Sequence, residues 1–430
     1  MKTVPESVLK KLYGSNTNII EYQKKRYKTL LTQFSKYFKT SLPDNTIRLF
    51  SSPGRCEIGG NHTDHNGGIV IGASIQLDCI AAVQETSTNI VTIHDITYNE
   101  DFSIDITDST RKSAENGAKA LTRGIINGFK KEGYKVKGFN CCITSDVIAA
   151  AGVSSSAAFE MLICIIISNL FNNGSIPLYK FAAIGQYSEN IYWNKASGQL
   201  DQLSCAYGGL IYIDFENKNK PKITKIPFDF SKQSYTLMLV NTGTGHANLS
   251  AEYSSIPEEM KLVAKQFEKP ILRGIDFKTL INRLPELRKT CGDRAILRAF
   301  HFIEETNRAE EQAKALQNNN FQKFLQLVND SGNSSWKWLQ NIAIQGHPKE
   351  QPIALYLALT EHFIKEKGDG ACRVHGGGFA GVLTAFIAHK YVSEYIKYME
   401  KALNWQESSK THSPVYPMTI RPLGSIELIF

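Results

Sequence analysis

The stretch Gly152-Val-Ser-Ser-Ser-Ala-Ala158 places small residues and three hydroxyl groups directly before the apolar run Met161 to Phe171. Small residues at the start of a helix expose several backbone N–H groups and the positive end of the helix dipole, and this combination binds phosphate. The hydroxyls could also bind Mg²⁺. Taken alone, the segment also fits an ordinary serine-capped helix. The commoner phosphate loop GxxxxGK[ST] does not occur in the sequence.

Two further segments carry groups suited to an alcohol or a sugar. Asn61-His-Thr-Asp-His65 lacks the histidine spacing and the acidic companions of a metal site, whereas its carboxylate could accept hydrogen bonds from two neighbouring sugar hydroxyls. Asp201 lies between Gln199 and Gln202 and could deprotonate an alcohol. Taken alone, a lone aspartate is more often a helix cap or an exposed charge.

A formal GxGxxG runs from Gly376 to Gly381. It does not indicate a dinucleotide-binding fold, because the residues that follow, Val382 to Ile387, have the pattern of a strand rather than a helix. A close approach of this backbone to a ligand or to a second glycine loop would explain the glycines, as would a plain hairpin turn.

Hydrophobic periodicity predicts the elements that must position these groups. We expect a helix from Tyr27 that stops before Leu42, and a polar loop over 52–68 between two strands. The other elements expected near the candidate groups are a helix opened by the small residues at 152–158, a helix over 178–193 and a strand over 208–215.

Beyond residue 236 the sequence changes to long helical patterns, including one from Leu284 to Leu316. This change places a domain boundary between residues 217 and 250. We therefore expect an N-terminal domain of residues 1–230 and a C-terminal domain of residues 231–430.

Composition excludes several classes of protein. The 430 residues include 49 Lys+Arg and 41 Asp+Glu, a net charge of +8, and 42% are hydrophobic, so a disordered or fibrous chain is excluded. No basic block has the aromatic interleaving of a nucleic-acid surface, and no apolar run approaches the roughly 20 residues of a membrane helix. Eight irregularly spaced cysteines without a CxxC, and an N-terminus without a signal-peptide core, predict a cytoplasmic protein with reduced thiols.

Four motifs occur in a fixed order over residues 53–381: GRCEIGGNHTDHNGG, GVSSSAAFE, SGQLDQLS and ACRVHGGGFAG. In this order the sequence resembles the galactokinases, sugar members of the GHMP family of small-molecule kinases. The resemblance implies a two-domain α+β fold, with an N-terminal α/β domain of the ribosomal-protein-S5 type, a C-terminal ferredoxin-like α+β domain, and the active site between them. It also implies that ATP, with Mg²⁺, phosphorylates the C1 hydroxyl of a galactose-type sugar. We expect a monomer with no nucleic-acid or membrane partner.

Residue by residue, the resemblance implies three groups of site residues. The catalytic residues beside the anomeric hydroxyl are Asp201 and Arg55. The ATP phosphates contact Gly152, Val153, Ser154, Ser155, Ser156 and Ala157, and the Mg²⁺ ligands are Ser156 and Glu189. The sugar contacts Asn61, His62, Asp64, Gly198 and Tyr253.

The role of Asp201 has two readings. It could act as a general base on the C1 hydroxyl, but a carboxylate beside Arg55 should have a lowered pKa, which weakens it as a base. Alternatively, Asp201 and Arg55 only orient and polarise the hydroxyl, and its proton leaves late in the reaction.

This sequence departs from the galactokinase pattern at several positions. Asn61 stands where the family has a Glu, expected at the 6-hydroxyl of the sugar, and Glu57 stands where it has an Asn. His65 replaces a Tyr, and Gly198-Gln-Leu-Asp-Gln202 replaces GIMDQ. A neutral residue 61 leaves room for a C6-modified or C6-lacking sugar such as galacturonate or arabinose, and N-acetylgalactosamine is a further alternative substrate.

Two rivals to a sugar kinase follow from the same motifs. A non-catalytic, galactokinase-like sugar sensor is expected to be damaged in the phosphate loop or at the acid, and both are intact here. A kinase of a non-sugar alcohol is disfavoured by His62-Thr-Asp64, which is a sugar-type motif.

Overall fold

The computed structural model is a mixed α+β fold in which helices pack on two separate sheets. It describes residues 3–39, 46–148, 152–195, 197–243, 249–344, 346–379, 381–406 and 413–430. Among these residues no helix is both long enough and apolar enough to cross a lipid bilayer.

The strands within these described ranges are β1 (Arg48–Gly59), β2 (Ile69–Glu85), β3 (Ile90–Asp95), β4 (Glu100–Asp105), β5 (Phe139–Ser145), β6 (Leu210–Asp214), β7 (Lys222–Lys225), β8 (Tyr235–Asn241), β9 (Gly370–Val374), β10 (Val382–Ala388), β11 (Val415–Met418) and β12 (Ile426–Leu428). The helices are α1 (Glu6–Tyr13), α2 (Thr17–Phe38), α3 (Gly117–Lys131), α4 (Ser155–Phe171), α5 (Leu178–Tyr187), α6 (Leu200–Tyr207), α7 (Ser250–Lys265), α8 (Phe277–Asn282), α9 (Leu284–Thr290), α10 (Asp293–Gln317), α11 (Phe321–Ser334), α12 (Pro352–Lys367) and α13 (Val392–Ala402).

The first sheet has the strand order β12-β1-β2-β5-β3-β4, and β6 and β7 extend it from β2. Its pairs are antiparallel except for β3 with β5. The second sheet is antiparallel, in the order β11-β8-β10-β9. The chain passes from the first sheet to the second between β7 and β8, close to the predicted boundary at 230/231, but β12 returns to the first sheet. The division at 230/231 stays a prediction.

Helix α4 lies in the centre of the largest hydrophobic core. The residues from Ala157 to Ser168 are all buried, so the helix is covered on every side. This agrees with a sequence that is apolar around the whole helix rather than along one stripe. Because α4 cannot shift without disturbing this core, the loop at its N-terminus has a rigid support.

Most of the predicted elements are present, and three predictions were wrong. The helix predicted from Tyr27 begins ten residues earlier, at Thr17. The polar motif expected to form a loop over 52–68 continues β1 as far as Gly59, so the loop covers only its second half. The helix predicted from Leu284 to Leu316 is interrupted at Gly292, whose φ of +79° ends α9 before α10 begins.

Candidate active site

Arg55 is presented by an irregularity in β1. The pairing of β1 with β2 shifts register between Pro53 and Arg55, as at a β-bulge, and bulges commonly re-aim a side chain. The backbone N–H of Arg55 donates to the carbonyl of Val153 at 3.1 Å, so the strand is joined directly to the small-residue loop. A Cβ on Gly54 would lie 2.8 Å from the same carbonyl, so this close approach requires glycine.

Arg55 and Asp201 form a two-pronged ion pair. Arg55 Nε donates to Asp201 Oδ1 at 2.7 Å and Arg55 Nη2 donates to Oδ2 at 2.6 Å. Burial alone would raise the pKa of Asp201, but the charge and hydrogen bonds of Arg55, with a hydrogen bond from Ser154, lower it to about 2. Asp201 is therefore a carboxylate at neutral pH and a weak base. It is neither a helix cap nor an isolated surface charge.

The small-residue loop opens α4 without a side-chain cap. Ser154 is the N-cap residue with φ +56°, and its hydroxyl makes no capping hydrogen bond. The hydroxyl donates instead to Asp201 Oδ2. The first N–H groups of α4 thus keep their capacity to bind an anion, and the interpretation as an ordinary serine-capped helix was wrong.

Glu189 lies at the side of this loop, on a single π-helical turn that spans Ser188–Tyr192. Such turns are often found at functional sites. Ser156 Oγ donates to Glu189 Oε1 at 2.9 Å, and Gln202 Nε2 contacts Glu189 Oε2 at 3.2 Å. Gln202 also donates to Glu160 at 3.0 Å, and burial together with the charge of Glu189 raises the pKa of Glu160 well above its usual value.

Lys195 completes this cluster, and sequence reasoning missed it. Its ammonium lies 2.5 Å from Glu189 Oε1 and 3.2 Å from Ser156 Oγ. Burial would lower the pKa of Lys195, but the charge and hydrogen bond of Glu189 raise it. A single lysine in an irregular segment has no periodic pattern, so only the contact itself reveals its position.

Two of the residues predicted to contact the sugar, Asp64 and Gly198, lie against each other. Gly198 packs so closely against Asp64 that a Cβ would lie 1.7 Å from Asp64 Oδ2. Burial, and then the charge of Glu57, raise the pKa of Asp64 to about 6, although the backbone N–H of His65 donates to it at 2.9 Å. Asp64 is thus a partly buried carboxyl that has few protein partners and can accept from a ligand.

His62 and Tyr253 are both held by the glycine turn that follows β9. His62 Nε2 lies 3.0 Å from the carbonyl of Gly377, so this nitrogen carries the proton. Burial lowers the pKa of His62, which leaves a neutral ring whose Nδ1 can accept. Tyr253 donates its hydroxyl to the carbonyl of Gly378 at 2.9 Å.

Asn61 belongs to the same cluster but has no exposed atom. Its Nδ2 donates to Glu57 Oε1 at 3.0 Å and to the carbonyl of Gly376 at 2.7 Å, and its Oδ1 accepts from Asn341 at 3.0 Å. Glu57 in turn pairs with the buried Arg373 at 2.8 Å. The polar atoms of Asn61 are therefore engaged by the protein itself, and its predicted contact with a sugar stays a prediction.

His375 is a second residue that sequence reasoning left without a role. Its Nε2 lies 3.0 Å from the carbonyl of Gly152 and 3.3 Å from Arg55 Nη1. Burial and the charge of Arg55 lower the pKa of His375 to about 3, so the ring is neutral. A Cβ on Gly152 would lie 2.9 Å from the side chain of Val382, the first residue of β10, so the residues on either side of the turn after β9 pack on the phosphate-loop candidate. The Cβ positions of Gly377 and Gly378 lie instead against Tyr253 and Asn341, so a close approach of this backbone to a second glycine loop stays a prediction.

The structure thus brings every predicted site residue to one region at the N-terminus of α4. Within the described part of the chain there is no group of three or more His, Cys, Asp or Glu side chains that could hold a metal ion. The pair formed by Ser156 and Glu189 supplies two oxygen donors. Such a partial set is typical of Mg²⁺, which takes its other ligands from phosphate and water.

Comparison with known proteins agrees with this geometry. Residues 32–85 match the galactokinase galactose-binding signature, and residues 119–209 match the N-terminal domain of GHMP kinases. A galactokinase of Glaesserella parasuis is 29% identical over 90% of this chain and 96% of its own length. One from Lactococcus lactis subsp. cremoris is 28% identical over 86% of this chain and 90% of its own.

Solved structures give the same result. Lactococcus lactis galactokinase complexed with galactose matches with a TM-score of 0.76 and 25% identity, over 93% of this chain and 99% of that one. Methanococcus jannaschii mevalonate kinase shares the fold at 16% identity, with a TM-score of 0.59 over 88% of this chain and 99% of that one. The expected two-domain α+β fold is confirmed, and so is the resemblance of this chain to the galactokinases of the GHMP kinase family.

Proposed function

We propose that this protein is a sugar 1-kinase that transfers the γ-phosphoryl group of ATP to the C1 hydroxyl of galactose, giving galactose 1-phosphate and ADP. One observation carries the proposal. The ion pair of Arg55 and Asp201 is joined to the uncapped start of α4 by the hydrogen bond from Ser154, so an acid, a cation and a phosphate-binding helix end meet at one point. In phosphoryl transfer a protein mainly positions the reactants and stabilises negative charge, and these groups can do both.

Asp201 and Arg55 act on the sugar hydroxyl together. With a pKa of about 2, Asp201 has little tendency to take a proton before the oxygen begins to bond to phosphorus. We therefore favour the reading in which Asp201 accepts a hydrogen bond from the C1 hydroxyl, orients it, and receives its proton late. Arg55 remains charged throughout, because the charge of Asp201 raises its pKa further against the effect of burial, and it stabilises the transferred group.

The loop from Gly152 to Ala157 binds the phosphates of ATP through the backbone N–H groups at the start of α4. Ser156 and Glu189 hold Mg²⁺, and the donor set fits, because a cation of the chain, Lys195, already lies against both oxygens. When bound, Mg²⁺ neutralises charge on the phosphates. Glu189 is kept in position from behind by Gln202.

The sugar is held by His62, Asp64, Gly198 and Tyr253. Asp64 accepts from sugar hydroxyls, and Nδ1 of His62 is free to accept another. The absence of a side chain on Gly198 keeps space beside Asp64 Oδ2. Asn61 supports these sugar-binding residues through its hydrogen bonds to Glu57 and to the turn after β9.

The oligomeric state, the cellular compartment and the domain division belong to the same proposal. We propose that the protein works as a monomer in the cytoplasm, where ATP is available and where its eight cysteines, all unpaired, would remain reduced. We also propose that its domains are residues 1–230 and 231–430.

Purified protein with ATP, Mg²⁺ and a panel of sugars tests the proposal. We expect ADP release that depends on both sugar and metal, with galactose the best substrate and phosphate found on C1 by ³¹P NMR. Galacturonate, arabinose and N-acetylgalactosamine are the comparison sugars. Binding of galactose without sugar-dependent ADP release would favour a sensor, and phosphate on C6 would contradict the assignment.

A further inference from the structure

The ammonium of Lys195 lies against both of the oxygens assigned to Mg²⁺. Its Nζ lies 2.5 Å from Glu189 Oε1 and 3.2 Å from Ser156 Oγ, while Ser156 donates to the same carboxylate oxygen at 2.9 Å. A hydroxyl and an ammonium therefore converge on one oxygen atom. This is the arrangement expected where a small cation and the chain's own cation compete for one set of donors.

The backbone holds Lys195 close to this carboxylate. The N–H of Lys195 donates to the carbonyl of Glu189 at 3.0 Å, and the residue between Trp193 and Lys195, Asn194, has a left-handed φ of +56°. The ammonium also lies 5.2 Å from the centre of the Trp193 ring. The segment after the π-helical turn thus folds back onto the residue whose carboxylate it covers.

This contact differs from the ordinary surface ion pairs of the protein. In the pair of Lys180 with Glu132, at 2.6 Å, the side chains are 32% and 43% exposed, so solvent reaches both. In the pair of Lys195 with Glu189 the lysine is 45% exposed but the glutamate only 2%. The lysine thus covers the solvent side of a buried carboxylate, and a cation that arrives from solvent must first displace it.

We propose that Lys195 is a positioning residue that keeps the metal site closed in the free enzyme and opens it when ATP binds. The inference rests on the proposed function. A carboxylate oxygen that already holds an ammonium at contact distance offers little to a second cation, so metal alone should bind weakly. The phosphates of ATP bring several negative charges to the start of α4, beside Ser156. They give the flexible side chain of Lys195 a second anionic partner, so it moves to the phosphate oxygens and leaves Glu189 to the metal that enters with the nucleotide.

Mn²⁺ serves as the probe, and its binding to nucleotide-free protein is measured by electron paramagnetic resonance. We compare the native protein with Lys195→Met, which keeps the length of the side chain but removes the charge. The variant should bind Mn²⁺ at least about ten-fold more tightly, because the metal no longer has to displace the ammonium of Lys195 from Glu189. Adding Glu189→Gln to Lys195→Met should abolish this gain. Lys180→Met is the matched control, because it breaks a similar ion pair away from the site, and it should leave Mn²⁺ binding unchanged.

Nucleotide binding tests the second half of the inference, that Lys195 moves to the phosphates of ATP. Lys195→Met should raise the KM for ATP several-fold while the KM for galactose changes little, and Lys195→Arg should restore most of the ATP affinity. If Lys195→Met is not folded by circular dichroism, Lys195→Gln takes its place.

Equal Mn²⁺ affinity in the native protein and Lys195→Met would overturn the inference, as would a gain that survives Glu189→Gln. Failure of this inference can be distinguished from failure of the proposed function. A native protein that phosphorylates galactose but gives equal Mn²⁺ affinities refutes only the role of Lys195. A native protein that phosphorylates no sugar refutes the proposed function, whatever the Mn²⁺ data.

Discussion

The hydrogen bond between Asn61 and Glu57 can be reversed with almost no change of shape. Asn61→Asp puts an oxygen where Nδ2 now lies, 3.0 Å from Glu57 Oε1, so that two acceptors face each other in a buried site. Glu57→Gln removes the negative charge that Arg373 contacts at 2.8 Å. In the double variant the new amide at position 57 can donate to the new carboxylate at position 61, so this hydrogen bond returns with its direction exchanged and the negative charge stays in the cluster. Arg373 Nη2, which donates to the same Glu57 Oε1 at 2.8 Å, still loses its acceptor, as it does in Glu57→Gln alone. The stabilities of the four proteins form a double-mutant cycle.

The expected magnitudes follow from the contacts that each change removes. Asn61→Asp loses a hydrogen bond to a charged acceptor, about 1.5–3 kcal/mol, and a donor to the carbonyl of Gly376, about 1 kcal/mol, so we expect about 2.5–4 kcal/mol. Glu57→Gln leaves the buried Arg373 without its partner charge and should cost about 3 kcal/mol. The double variant should be more stable than the sum of the two losses predicts by about 1.5 kcal/mol or more.

Urea unfolding followed by circular dichroism gives the four free energies of unfolding. The control is Asn217→Asp in an exposed turn, where the side-chain oxygen only accepts, and it should change stability by less than about 0.5 kcal/mol. The penalty of Asn61→Asp should be smaller at pH 5 than at pH 7.5. Repulsion from Glu57 raises the pKa of the new acid in the folded state, so its destabilising effect grows as the pH rises. Losses that add within about 0.5 kcal/mol would refute the coupling.

The same variants test whether this pair influences the sugar at C6. A negative charge moved to residue 61 should penalise galacturonate more than galactose if that residue lies near C6, because like charges repel and a mispaired polar group discriminates strongly. Relative kcat/KM values for the two sugars measure the effect. Equal changes for both sugars would mean that residue 61 acts only as a support.

Three further predictions concern the residues around the ion pair. Asp201→Asn should lower kcat by about 100-fold or more while the galactose affinity measured by calorimetry changes less, and near-normal turnover would show that the wrong carboxylate is assigned. Gly198→Ala puts a methyl group 1.7 Å from Asp64 Oδ2 and should raise the KM for galactose more than the KM for ATP. An unchanged KM for galactose would contradict the assignment of Gly198 and Asp64 to the sugar site. Since burial and Glu57 raise the pKa of Asp64 from 3.8 to about 6, kcat/KM for galactose should fall as the pH drops through about 6, and Asp64→Asn should remove that inflection. The effect of Asp64 on stability has the opposite pH dependence to its effect on kcat/KM. Because the folded protein holds this proton more tightly than the unfolded chain, the contribution of Asp64 to the free energy of unfolding falls as the pH rises from about 4 to about 6.

The phosphate-loop candidate could be predicted from local sequence, because small residues before an apolar helix pattern have one geometric consequence. The contact between Arg55 and Asp201 could not be derived in this way. The two residues are 146 positions apart, and only the order of the four motifs suggested that they meet. Similarly, the sequence marked the residues up to Gly59 as a polar loop, whereas pairing with β2 over most of this stretch keeps them in a strand.

Lys195 and the partners of Asn61 show why the rest was not predictable. Asn61 is held by side chains and carbonyls from β1, from the turn after β9 and from residue 341. A polar network assembled from distant segments leaves no periodic pattern in any one of them. The resemblance marked Asn61 and Glu57 as separate departures, and only the structure shows that they form one hydrogen-bonded pair.

The glycine run after β9 supports the sugar side of the site through its backbone. Three consecutive carbonyls, those of Gly376, Gly377 and Gly378, accept from Asn61, His62 and Tyr253 at 2.7, 3.0 and 2.9 Å. A Cβ at Gly377 would lie 2.2 Å from the Tyr253 ring, and Gly378 has φ +82° with a Cβ position 2.2 Å from the carbonyl of Asn341. The glycines are therefore needed because side chains approach this turn from two directions. Through this turn, the edge of the second sheet fixes residues on the loop after β1 and on α7.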